Sequence, residues 1–182
     1  MRRITYACLL ICAITVVGAT PARAQGAPTT IVKEMLVVWQ RSVTEILDIA
    51  EAMPEGKYDF KPTPEVATFR DQLVHLAGIA QRYTDTASGT KSAPHDHHKS
   101  MTKAEVIALV KTKFQDAEAM LAATTDAQLL EQVKVPFGDR MVSRFVFWTS
   151  PVLQVRNHHG QLVVYLRLNG IVPPTTARRP PR

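Results

Sequence analysis

Four stretches between Thr30 and Asn169 repeat apolar residues at helical spacing, and no run between them alternates for long enough to build a sheet. That pattern confines the chain to helix-on-helix packing. The first stretch runs from about Thr30 to Met53. Ile31, Met35, Val38, Ser42, Glu45, Ile46 and Ile49 trace its face, and Leu36, Val43, Leu47 and Ala50 widen it. Pro54 ends it, and the segment from Pro54 to Pro64 reads as an extended connector whose Tyr58 and Phe60 turn one side toward the core. A second helix spans about Phe69 to Ala87 behind a Thr68 cap, with Leu73, Leu76, Ala77, Ala80 and Tyr83 on its apolar face. Residues 88–100 form a polar loop. The third helix opens on a capping box, Thr102 with Glu105, and repeats Val106, Leu109, Val110, Phe114, Ala117, Met120 and Leu121. Residues 126–132 predict a short helical turn, and residues 133–140 an extended excursion around Pro136 and Gly138. The last helix spans about Ser143 to Asn169. Pro151 should kink it or mark a late start, and Gly170 with Pro173-Pro174 stops it. The expected fold class is all-α, a four-helix bundle.

The ends of the chain carry its net positive charge and all of its cysteine. Arg2-Arg3, the apolar run from Ile4 to Ala19, and Ala22-Arg23-Ala24 before Gln25 read as a cleavable N-terminal signal peptide over residues 1–24. The apolar run is short for a membrane span of about 20 residues. Cleavage removes Cys8 and Cys12, so the mature chain is expected to have no disulfide, thiolate ligand or cysteine nucleophile. It also removes Arg2, Arg3 and Arg23, taking the formal charge from +6 to +3. Arg178, Arg179 and Arg182 lie in a Pro/Arg-rich tail, residues 175–182, expected to be disordered. The folded body, residues 25–174, is then nearly neutral, and the high isoelectric point does not indicate a nucleic-acid partner. The expected location is periplasmic or secreted, with no membrane span after cleavage.

Histidine is the residue type with most to say about chemistry, because imidazole binds transition metals and titrates near neutrality. His75 lies mid-helix among apolar neighbours, where a packed, hydrogen-bonded histidine is the usual outcome. His158 and His159 are neighbours on the last helix, about 100° apart, and cannot both face one site. A helical wheel puts His159 in the stripe of Val152, Val155, Leu162 and Leu166, and His158 at its edge with Gln154, Gln161 and Tyr165. The expectation is a packed His159 and a His158 lining a polar cleft. His95, His97 and His98 form a His-rich loop tract that reads as solvated, since no scaffold fixes its geometry.

An ordered set of motifs carries a resemblance. Tyr58-Asp59-Phe60-Lys61-Pro62-Thr63-Pro64 is followed by Thr68-Phe69 and by His75 in a Leu-Val-His-Leu context. Then come His158-x-Gly160-Gln161-Leu162-Val163-x-Tyr165-Leu166-Arg167, Gly170 and Pro173. Together they resemble the DinB-like superfamily over nearly the whole mature chain. The resemblance implies an up-down-down-up four-helix bundle, a homodimer in many members, and a divalent metal such as nickel or zinc held by three histidines. One ligand sits on the second helix and two at i, i+4 on the fourth. Carried over, the ligands fall on His75, Gln154 and His158, with glutamine standing where the family has histidine. A glutamine amide is a weaker donor to zinc or nickel than imidazole.

Two readings follow. One is an exported metal-dependent hydrolase or transferase acting on a small molecule, with Asp71, one turn before His75, as the nearest candidate base. The other is a non-catalytic exported binding or structural bundle with a degenerate metal site. Nucleic-acid repair is excluded by the export signal and the near-neutral body.

Overall fold

Each of the four long helices starts on a side-chain oxygen. Thr30, Thr68, Thr102 and Ser143 accept hydrogen bonds from the backbone N–H of Lys33, Asp71, Glu105 and Val146, three residues on. These caps open α1 (Ile31–Ala52), α2 (Phe69–Ser88), α3 (Lys103–Ala122) and α4 (Arg144–Leu168) in a computed structural model that describes residues 30–91 and 101–178. The expected signal peptide with Cys8 and Cys12, the tract of His95, His97 and His98, and residues 179–182 lie outside the described residues.

Contacts between helix ends give the directions. Lys103 at the start of α3 reaches Glu51 near the end of α1 (3.5 Å). Past the end of α3, the Asp126 carboxylate accepts the backbone N–H groups of Ile31 and Val32 at 3.0 Å each. The two helices are therefore antiparallel. Tyr165, late in α4, donates its hydroxyl to the Ala67 carbonyl ahead of α2 (2.7 Å), while Tyr83, late in α2, packs on Phe147 at the start of α4. That pair is antiparallel too. Trp39 meets Trp148 and Glu45 meets Arg156, in the same order along α1 and α4, so those helices run parallel. The order is up-down-down-up.

Rings from all four helices meet in the core. Trp39 of α1 lies 5.7 Å from Phe114 of α3 and 6.5 Å from Trp148 of α4. Phe147 continues the chain to Tyr83 of α2 at 4.8 Å. The α1–α2 connector, which opens with a single 3-10 turn, closes one end of the bundle. Its Tyr58 is fully buried, donates to the Ala50 carbonyl (2.7 Å) and packs on Phe69. Burial, with the Glu51 charge adding to it, pushes the Tyr58 phenol well above its ordinary pKa.

Several expectations are corrected. The buried face of α1 runs through Val32, Trp39, Ser42, Glu45, Ile46, Ile49 and Ala50, and Ile31 and Val38 are more than half exposed. The excursion before α4 is a two-stranded antiparallel hairpin, β1 (Gln132–Lys134) with β2 (Met141–Ser143), pairing Val133 with Val142. Gly138 turns between the strands at φ +84°, a conformation that suits glycine. Pro151 does not mark a late start, because α4 begins at Arg144 and continues through it. At the other end of α4, Gly170 takes a left-handed φ of +73°, and the Gly170 and Ile171 N–H groups bond to the Arg167 and Leu166 carbonyls. Pro174–Ala177 form a helical turn, α5, and Arg178 pairs with Asp48 of α1 at 2.6 Å. Among the described residues, no helix is long and apolar enough to cross a membrane.

Candidate metal site

The start of α2 sets the site. Thr68 and Asp71 make a reciprocal capping box, the Asp71 N–H donating to Thr68 Oγ1 (3.1 Å) and the Asp71 carboxylate accepting from the Thr68 N–H (3.4 Å). Asp71, the nearest candidate base, thus serves the helix terminus through one carboxylate oxygen. Gln72 and His75 follow, three apart, and so share one face of α2. Tyr165 packs on both Phe69 and Phe60 and bonds to Ala67, which fixes the register of α4 against that face.

In that register His158 meets His75, with ring centroids 5.1 Å apart and planes inclined at 47°. His158 is 8% exposed, and His75 is half-buried. The Gln72 Oε1 lies 2.5 Å from His158 Nδ1. With the amide oxygen accepting, the ring proton sits on Nδ1 and the Nε2 lone pair is left available, the arrangement that outer-sphere partners impose on metal-binding histidines. Burial pushes His158 below the ordinary histidine pKa, and a charge on His75 pushes the same way. His158 is therefore neutral at pH 7, as a ligand must be.

The expected order of burial on α4 is reversed. The inward stripe is Phe147, Trp148, Pro151, Val155, His158, Leu162, Tyr165 and Leu166, so His158 is the core histidine. His159 is half-buried and turns toward α1, its Nε2 3.7 Å from Glu45 Oε2. Gln154, one turn before His158, is exposed. The structure thus brings His75 and His158 together, adds the buried Gln72, and leaves Gln154 on the solvent side of α4. Gln72 was missed from sequence, although its spacing to His75 and its apolar surroundings were the available signal. Among the described residues, no group of three or more His, Cys, Asp or Glu side chains is placed to hold a metal ion.

On the α1 side, Glu45 is buried and accepts from Arg41 Nε (3.1 Å) and from Arg156. Burial pushes its carboxyl up, but the Arg41 and Arg156 hydrogen bonds, with the charges of Arg156 and His159, outweigh that and hold it below the usual value. A carboxyl lowered on folding adds stability that is full above the unfolded pKa, near 4.3, and is lost as pH falls through the lower folded value. Glu45→Gln is therefore expected to be less stable than the parent at pH 7. The gap should close as urea titrations move from about pH 5 downward. A gap that stays constant with pH would mean that Glu45 contributes by packing rather than by charge.

A model of the DinB family matches residues 27–180. Protein YjoA of Bacillus subtilis strain 168, itself uncharacterised, is 22% identical over 132 residues, covering 71% of this chain and 84% of its own. Solved structures share the fold. A DinB-like protein from Bacillus cereus ATCC 10987 superposes with a TM-score of 0.69 at 14% identity, covering 80% of this chain and 96% of its own. YfiT from Bacillus subtilis, a probable metal-dependent hydrolase with an unusual four-helix bundle topology, gives 0.60 at 13% identity, covering 82% and 94%.

Proposed function

The chain belongs to the DinB family, and from that premise we propose that it is an exported protein with a divalent-metal site between α2 and α4 that serves hydrolase or transferase chemistry on a small molecule. One observation carries the reading: two imidazoles from different helices stand side by side, and Gln72 engages one of them at Nδ1. His75 and His158 would be the ligands, with Gln154 as a neutral amide at the third family position. Nitrogen donors with no carboxylate or thiolate suit zinc or nickel rather than magnesium or calcium. When bound, such an ion supplies Lewis-acid activation of water or of a substrate group. The chain's own part is to hold His158 neutral and fixed in orientation, and to keep Asp71 engaged at the helix terminus. YfiT, a probable metal-dependent hydrolase, supports the reading at the level of shared fold.

A second reading has its own support. Two imidazoles without a third ionisable ligand among the described residues also suit a bundle whose metal site has degenerated into a packed histidine pair.

Metal content decides between them. Protein purified without an affinity tag is expected to carry zinc or nickel by elemental analysis, and to begin at Gln25 by N-terminal sequencing if residues 1–24 are removed on export. His75→Ala and His158→Ala should each weaken the site by about a hundredfold, the scale on which one ligand contributes. Metal that both variants leave in place would be bound elsewhere, and the second reading would stand.

A further inference from the structure

His159 points away from the His75–His158 pair, into a different opening of the bundle. A cavity of about 570 Å³ lies between α1, α4 and the C-terminal turn, lined by Arg41, Thr44, Glu45, Arg156, His159, Thr175 and Arg178. That volume is in the range of small-molecule sites, about 300–1,000 Å³. Its floor is the buried Glu45 carboxylate. Glu45 holds Arg41 and Arg156 by one hydrogen bond each, and Asp48 holds Arg178 by one. A guanidinium has five N–H groups, so each of the three brings further donors to the cavity wall. Thr175 adds a hydroxyl. The His159 Nε2 has no hydrogen-bond partner and lies 3.7 Å from the Glu45 carboxylate.

The charge balance points one way. Three guanidiniums stand against two carboxylates, and both carboxylates are already engaged. The forked geometry of arginine matches carboxylate and phosphate oxygens. One wall is α5, the segment where sequence composition led us to expect disorder, and Arg178 anchors it to α1. We propose that this cavity binds a small molecule bearing an oxyanion, a carboxylate or a phosphate, through Arg41, Arg156 and Arg178 with Thr175. This site is separate from the proposed metal site and does not depend on it.

Calorimetric titration of the full chain at low ionic strength, with inorganic phosphate in one arm and succinate in the other, tests the proposal. One probe is expected to saturate at one per chain, and the arm that does so identifies the oxyanion. Arg41→Gln and Arg178→Gln, both at exposed side chains, should each weaken binding roughly tenfold, the worth of a charge-assisted hydrogen bond. Arg82→Gln, whose guanidinium lies over the Phe137 ring on the hairpin, should leave binding unchanged. Absence of binding by either probe up to about 10 mM, or equal binding by all three variants, overturns the site and leaves the arginines as structural ion pairs.

Discussion

Trp39→Ala is expected to cost about 3–5 kcal/mol of folding stability, the range for truncating a buried aromatic. Trp39 is 1% exposed and sits at the centre of the ring cluster, touching Phe114 of α3 and Trp148 of α4. Its removal leaves a cavity bounded by three helices, which cannot close without moving one of them. A domain of this kind has roughly 5–15 kcal/mol in total, so the variant should keep only a part of it, with a fall in melting temperature of about 10 °C. Urea titration followed by circular dichroism measures the change. Trp148→Ala should cost a similar amount, and the double variant less than the sum, because the two rings share a contact. A loss below about 1 kcal/mol for Trp39→Ala would mean that the bundle's core lies elsewhere. The indole N–H groups of both tryptophans are buried without partners, so phenylalanine at either position should be tolerated far better than alanine.

Trp39 also shows where the sequence stops being legible. The first turns of α1 are apolar on most sides, with Ile31 and Val32 followed, after Lys33 and Glu34, by Met35, Leu36, Val37, Val38 and Trp39. Periodicity identifies a helix there but not which side faces inward. The expected stripe of Ile31, Met35 and Val38 instead borders an apolar groove of about 350 Å³ shared with Phe145, Trp148 and Leu153. The same ambiguity reversed the histidines. On α4, Leu153, Val164 and Leu168 are exposed, so an apolar wheel is pulled off the true stripe, and the buried His158 was assigned to its edge. The helix limits were easier, because caps are local chemistry. Thr68 with Asp71, Thr102 with Glu105, and Gly170 mark ends that need no tertiary information. The hairpin lacked such a signal. Its strands of three residues each are too short for alternation to register, and they exist because they pack beside α4. Gln72 escaped for a related reason: a buried amide has no pattern of its own until its partner on another helix is placed.

Gln154→His is expected to raise affinity for zinc or nickel by about a hundredfold, and it probes the candidate site by gain rather than by loss. Residue 154 lies one turn before His158 on α4, so a histidine there makes an i, i+4 pair on one side of the helix. Structural zinc sites gain about 10–16 kcal/mol from four ligands, or about 3 per ligand, close to a hundredfold each. Because Gln154 is exposed, the substitution should change folding stability by no more than about 0.5 kcal/mol, which keeps the binding readout clean. The control is His75→Ala in the same chain. If the new imidazole completes a site with His75 and His158, the gain collapses when His75 is removed. A gain that survives would come from the 154–158 pair alone. No gain at all would mean that position 154 does not face the His75–His158 pair, and that the third family ligand position has no counterpart on this helix. The two imidazoles would then be a packed pair in which Gln72 holds His158, and the non-catalytic reading would follow from the geometry of α4 rather than from the weakness of an amide ligand.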